Sequence, residues 1–404
     1  MIGALEKPQG PLGSLRVVEA GQLIAGPFCG QLLGDFGAEV IKIEPPGTGD
    51  PLRTWRRMDC EGPSLWWPVI ARNKKSVTLD LRQPEGQALA RQLIKGADVL
   101  IENFRPGTLE KWDLGYEALA EANPGLVMAR MSGFGQTGPY REQPGFGSIG
   151  EAMGGLRYVT GYPDRPPSRV GISIGDSLTA LFGTVGVLSA LLARERTGRG
   201  QIVDAALYES VLAVMECLVT EYDRAGVVRE RTGATLPGVA PSNVYPCANG
   251  ASVVIGANGN GVFSRLCNAM GRPELAESQE FGSDGARGAR QQELDAIISA
   301  WTSGLSSADV LALMRDFSVP AGLIYRAEDM LEDPQFAARE AIIELRDSVL
   351  GNIKMQGVFP RLSGTPGTVR AAAPTLGQHN EEILCGRLGL TEAKYGELRR
   401  RNIV

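Results

Sequence analysis

Short apolar runs alternate with helix-patterned stretches through the first part of the chain, and this alternation restricts the fold more than any other feature. The segments LRVVE (15–19), EVIKI (39–43), SVTLDL (76–81), DVLI (98–101) and LVMARM (126–131) read as strands. Pro27 suits the first turn of a helix running to about Phe36, with Gly37 at its end. Pro84 opens a second helix through Lys95 that Gly96 closes, and residues 116–122 make a short third one. Strands interleaved with helices in this order predict βαβ units, a mainly parallel sheet and an α/β fold. Ligands of such sheets sit beyond the carboxyl ends of the strands. That rule directs attention to residues 22–27, 44–47, 102–107 and 132–136.

Further along, a long helix is expected from about Ser177 to Arg196, ended by RERTGRG. Residues 201–206 read as a strand leading into a helix near Val211. From about Gly226 the texture changes to Gly, Pro, Asn and short β-type runs such as SVVI (252–255). Residues 226–319 are therefore expected to form a smaller α+β domain. Within it a helix spans 306–317, with Ser306 and Asp309 placed as a capping box. The large domain is expected to comprise 1–225 and 320–404, built from both chain ends.

Histidine usage limits the chemistry. His379 is the only one among 404 residues. A Ser-His-Asp or Cys-His mechanism would have to run through it, and the bland reading of a structural imidazole is preferred. A zinc site would have at most one His ligand, and Cys29, Cys60, Cys217, Cys247, Cys267 and Cys385 include no CxxC pair, so no metal site is expected. Scattered thiols suit a reducing compartment. A net charge of −5 argues against a nucleic-acid partner. The N-terminus lacks the pattern of a secretory signal. The apolar run 178–193 is short for a membrane span and reads as a core helix. A soluble cytoplasmic protein with no membrane partner is the expectation.

Several motifs each carry two readings. Residues 133–138 (GFGQTG) match GxGxxG after a strand, but Pro139 and Pro144 follow where a helix should begin. A Gly-rich loop admitting another ligand is the preferred reading there, over a dinucleotide fingerprint. Arg72-Asn73-Lys74-Lys75 is either a solvated loop or a phosphate clamp, with Arg105 and Lys111 adding positive charge at another strand end. Asp176, in GISIGDS (171–177), is either a helix cap or a carboxylate nucleophile. Cys29 reads as a packing residue.

Taken together, LIAGP (23–27), LGDFGAEVIKIE (33–44), RNKKS (72–76), ENFRPG (102–107), SGFG (132–135), GISIGDS (171–177) and RTGRG (196–200), in this order, resemble the class III CoA-transferase family, which also includes α-methylacyl-CoA racemases. The resemblance extends to PTLGQH (374–379). It implies a Rossmann-like large domain, a smaller domain and two subunits interlocked as a homodimer, or a pairing with a similar subunit. It implies no permanently bound cofactor, with coenzyme A and acyl-CoA as substrates. CoA contacts are carried over to Ile24, Ala25, Arg72, Asn73, Lys74, Lys75, Asn103, Phe104, Arg105, Lys111, Ser132, Gly133, Phe134 and Gly135. The nucleophile falls on Asp176, which would form a mixed anhydride and then an aspartyl-CoA thioester.

Three departures from the family pattern shape the expected substrate. Pro45 stands where some members carry a basic residue, which alters the adenosine-end contact. Residues 233–238 (GATLPG) replace the glycine run of oxalate-processing members. Phe146 stands at the position of the racemase histidine. Segments 150–160 and 164–171 look most like members that use small dicarboxylates with succinyl-CoA as donor. Arg157, Arg165 or Arg169 is then expected to bind a second carboxylate.

Overall fold

The computed structural model describes residues 10–56, 58 and 64–404; Cys60 and the first nine residues of the N-terminal segment lie outside the described residues. The chain divides into two compact units. The first contains the residues up to Leu156, Val170–Cys217 and Gln335–Val404; the second contains Arg157–Arg169 and Leu218–Pro334.

The first unit is built on six strands: β1 (Arg16–Glu19), β2 (Glu39–Glu44), β3 (Lys74–Thr78), β4 (Val99–Glu102), β5 (Val127–Ser132) and β6 (Ile202–Ala206). Their spatial order is β3-β2-β1-β4-β5-β6, and every neighbouring pair is parallel. This is the order of doubly wound sheets, whose direction reverses between β1 and β4. Four helices position the core and the site: α1 (Ala25–Asp35), α2 (Pro84–Lys95), α3 (Gly147–Met153) and α4 (Ile174–Thr197).

Strand residues point alternately to the two faces, and the two cores divide accordingly. Val18, Ile41, Val77, Leu100 and Met128 share one core with Leu89 and Leu93 of α2 and with Ile383, Leu384, Leu398 and Ile403. Val17, Val40, Val99, Ile101, Val127 and Ala129 share the other with Cys29 and Leu33 of α1 and Ala180, Val187 and Leu191 of α4. Burial on both faces is why β1, β2, β4 and β5 read as nearly continuous apolar runs.

Helix α4 is long and apolar enough to cross a membrane by composition. In the fold, one of its faces covers β5 and β6. Its glycines permit the approach: a Cβ at Gly186 would lie 2.4 Å from Val203 Cγ1, and one at Gly183 would lie 2.3 Å from Met131 Cε. The other face, with Leu181, Val185, Leu188 and Leu192, is exposed.

Element boundaries differ from the expected ones where tertiary pairing overrides local pattern. Strand β3 starts at Lys74, which pairs with Val40, and ends at Thr78 rather than Leu81. Beyond it the Asp80 N–H donates to the Ile403 carbonyl at 2.8 Å, so the chain leaves the sheet for the C-terminal segment. Helix α4 begins three residues earlier than expected, with Ser173 at its N-cap. The antiparallel hairpin of Ile342–Asp347 and Gly351–Gln356 has no counterpart among the expected elements. Its signal is Asp347, whose Oδ1 accepts the Val349 and Leu350 N–H groups at 2.8 and 3.0 Å and closes the turn.

The second unit carries an antiparallel sheet of β7 (Ser242–Pro246), β8 (Ser252–Gly256) and β9 (Ala321–Leu323). Tyr245, Val253, Ile255, Phe263, Leu266, Ile298 and Val310 form its core. Since β9 pairs with β8, the stretch after residue 320 stays with this unit, and the return expected there falls at Gln335. Ser306 caps the helix Ser307–Asp316, its Oγ accepting the Asp309 N–H at 3.2 Å.

Candidate active site

The loops at the carboxyl ends of β1, β4 and β5 enclose a cavity of about 280 Å³. It brings together Ile24, Ala25, Asn103, Phe104, Arg105, Ser132, Gly133 and Asp176, all singled out from the sequence. Among the described residues, Asp176 is the only acid on its wall, and Arg105 and Arg141 are the only cations.

Asp176 sits in the first turn of α4. Of its two possible roles, the cap is not its position: the N-cap of α4 is Ser173, three residues earlier. The carboxylate occupies space that a side chain at Gly147 would fill: a Cβ there would lie 2.1 Å from Asp176 Oδ2. Gly147 starts α3, so a missing methyl group at the head of one helix admits the acid from another. Gly175 makes the reciprocal concession, since its Cβ would meet the Gly147 carbonyl at 2.8 Å.

Each loop has its own support. Asn103 clamps the first, accepting the Gln22 N–H at 2.7 Å and donating to the Gln22 carbonyl at 2.8 Å. Leu23 is held at φ +63°, a costly conformation for a branched residue. Its N–H donates to both carboxylate oxygens of Asp50, at 3.1 and 3.2 Å. Asp50 is paired in turn with Lys42 at 2.8 Å, and Lys42 with Glu19 at 2.9 Å, all three buried. At the end of β4, Glu102 accepts the Phe104 N–H at 2.8 Å and pairs with Arg130 at 2.7 Å. Burial pushes the Glu102 carboxyl up to about 7, against the opposing pull of Arg130. Ser132 Oγ accepts the Gly135 N–H at 3.0 Å, and Gly135 takes φ +85°. The residues after Gly133 form a loop and not a helix, so the GxGxxG match is no dinucleotide fingerprint. Phe134 packs edge-on against Tyr140 with centroids 5.9 Å apart.

A second cavity, of about 430 Å³, lies beyond the carboxyl ends of β1–β3 and shares Gln22 and Phe104 with the first. Pro45 and Arg82 are on its wall. Lys111 ends the short helix Thr108–Lys111 and is exposed.

The structure removes Arg72–Lys75 from this site. The cluster enters β3 at its amino end, whereas the cavities open at the carboxyl ends. Arg72 is buried against Asp35 at 2.7 Å. Asn73 donates to Asp35 Oδ1 at 2.7 Å and accepts from the Arg370 N–H at 2.7 Å. Lys74 is buried against Glu19 at 2.7 Å and donates to the Pro27 carbonyl at 2.6 Å. Lys75 joins Glu39 and Glu382 at 3.0 and 2.6 Å. These cations are committed to internal partners, and the phosphate-clamp reading is corrected accordingly.

The other reactive candidates are also structural. His379 Nδ1 accepts the Ser76 N–H at 3.1 Å, and burial holds its pKa below the usual range. Burial pushes the Cys29 thiol up to about 12, which leaves it inert. Arg141 was not singled out from the sequence; only its place in a loop after a strand's carboxyl end could have pointed to it.

A family model for CoA-transferase family III matches residues 12–380. The succinyl-CoA–D-citramalate CoA-transferase of Chloroflexus aurantiacus is 57% identical, over 99% of each chain. The beta subunit of a succinyl-CoA–L-malate CoA-transferase from the same organism is 43% identical, over 98% of each. A crystal structure of a CaiB/BaiF family protein from Brucella suis, 35% identical, superposes with a TM-score of 0.82 over 94% of this chain and 99% of the other. The parallel sheet, the cavity around Asp176 and these likenesses agree, and the chain belongs to CoA-transferase family III and is an enzyme of that family.

Proposed function

We propose that this enzyme moves CoA from succinyl-CoA to a small dicarboxylic acid through covalent intermediates on Asp176. The observation that carries the reading is the placement of Asp176, the one acid among the described residues that line a cavity at the strand ends. The names of the two Chloroflexus relatives support succinyl-CoA as donor and a dicarboxylic acceptor.

Asp176 attacks the donor thioester carbonyl, giving a mixed aspartyl-succinyl anhydride and CoA thiolate. The thiolate attacks the aspartyl carbonyl, the anhydride C–O bond breaks, and succinate leaves from an aspartyl-CoA thioester. The acceptor carboxylate then attacks that thioester, and the thiolate returns to the acceptor's carbonyl, regenerating Asp176. The sequence is redox-neutral, and the carboxylates are already ionised, so no proton need move. Ile24, Ala25, Asn103, Phe104 and Gly133 line the path for the pantetheine arm, Arg105 and Lys111 supply charge for the phosphates, and Phe134 and Gly135 shape the loop behind them.

The exposed stripe Leu181–Val185–Leu188–Leu192 on α4 supports a second chain covering that face, either a copy in an interlocked homodimer or a similar subunit. A cytoplasmic location is part of the same reading. Racemase chemistry is disfavoured: the cavity wall carries Phe146 and no imidazole.

Asp176→Ala is expected to abolish formation of new acyl-CoA while CoA binding persists. Intact-mass spectrometry with succinyl-CoA should reveal a CoA adduct on the wild-type protein that the variant lacks. Sustained turnover by Asp176→Ala would overturn the assignment.

A further inference from the structure

The cavity around Asp176 has one cation, Arg141, to which the transfer chemistry assigns no part. Residues 133–145 form a compact surface loop between β5 and α3. Its base is closed by two glycine backbones: a Cβ at Gly133 would lie 2.9 Å from Gly145 Cα, and one at Gly145 would lie 2.8 Å from Gly133 Cα. Its middle is pinned where Tyr140 meets Phe134, and the Gln143 N–H donates to the Tyr140 carbonyl at 2.9 Å. A loop whose ends touch and whose middle carries its own aromatic contact keeps its remaining groups near the cavity. The group so held is Arg141, which lines the cavity with Asp176.

Arg141 is available for a ligand. Among the described residues its one ion-pair partner is the adjacent Glu142, at 3.3 Å, with both side chains more than half exposed. Such a pair contributes little and exchanges readily. Of the cavity's two cations, Arg105 follows Phe104, one of the two residues that line both cavities. The loop bearing Arg141 contributes to the Asp176 cavity and not to the second one.

We infer that Arg141 is a specificity-determining residue that pairs with the distal carboxylate of the dicarboxylic acyl group. The inference rests on the reading of Asp176 as the acyl-accepting carboxylate of a dicarboxylate-using transferase. A second carboxylate entering a cavity that already holds Asp176 meets repulsion unless a cation compensates it. The planar guanidinium offers two parallel N–H donors to such a group. Arg141 on its pinned loop is placed to supply them.

The test is isotope exchange in the full-length enzyme. Labelled succinate is exchanged into succinyl-CoA, and labelled butyrate into butyryl-CoA, which carries a methyl group in place of the distal carboxylate. The wild type is expected to favour the succinyl pair. In Arg141→Gln the ratio of the two kcat/KM values should fall by about 10-fold, as for loss of one charge-assisted hydrogen-bond partner. Arg141→Lys should recover part of the ratio, which a merely structural role would not produce. An unchanged ratio, or equal loss for both donors, would overturn the role of Arg141. No exchange of either pair by the wild type would instead refute the transferase reading beneath it.

Discussion

Two groups of cations in the first unit look alike in sequence and differ in the fold. Arg72, Lys74 and Lys75 enter β3 at its amino end and are spent on Asp35, Glu19, Glu39 and Glu382. Arg105 and Arg141 stand on loops at the carboxyl ends, Lys111 ends the short helix after β4, and all three are exposed. The first group fixes the scaffold: Lys74 and Lys42 both pair with Glu19, and through Asp50 the same network holds the strained Leu23 under the cavity. The second group is left for ligands. What separates them is a carboxylate partner from another element of the fold: Arg141 has only its exposed neighbour Glu142 among the described ion pairs.

The largest effect should follow from breaking the first group. Lys74→Met leaves the buried Glu19 carboxylate with Lys42 alone and is expected to cost about 3–5 kcal/mol in urea-induced unfolding. A cost near zero would mean that the pair is dispensable and the comparison wrong. Arg105→Ala should do the reverse. Its stability should stay within about 0.5 kcal/mol of wild type. Its KM for acyl-CoA should rise about 3–5-fold, an increment that shrinks with added salt, as for an exposed charge contact. A destabilised Arg105→Ala with unaltered KM would move Arg105 into the scaffold group.

The smallest effect sharpens the middle case. Burial raises the Glu39 pKa, but hydrogen bonds from Arg387 and Lys75 outweigh it and hold the carboxyl at about 2, from an ordinary 4.5. A carboxyl depressed on folding contributes stability above its unfolded pKa and loses it as pH falls toward the folded value. The Tm gap between wild type and Glu39→Gln should therefore be open at neutral pH and close between about pH 4.5 and 2. A gap independent of pH would show that Lys75 and Arg387 do not act through the Glu39 charge.

The parallel sheet was legible because its two-sided burial writes near-continuous apolar runs, and the site loops were legible because they come directly after those runs. Asp176 was found as a residue, but its role needed the cavity, since Ser173 rather than Asp176 occupies the N-cap position. The fate of Arg72–Lys75 was not legible: a run of positive charge shows no partner, and Asp35 lies 37 residues from Arg72. Arg141 escaped for the converse reason, being one arginine among many until the Gly133–Gly145 contact placed it.

The assembly of the first unit from distant parts of the chain also has a consequence in time. Its last sheet strand ends at Ala206, yet the core face of Val18, Ile41, Val77 and Leu100 is shared with Ile383, Leu384, Leu398 and Ile403. A ribosome adding about 5–20 residues per second reaches Ile403 roughly 10–40 s after Ala206. Throughout that interval the nascent sheet holds an oily face that α2 covers only in part, and the second unit is synthesised in the meantime. Holding chaperones would therefore engage this protein while it is still tethered, and synonymous codons that slow the stretch 207–383 would lengthen the exposure without altering one residue.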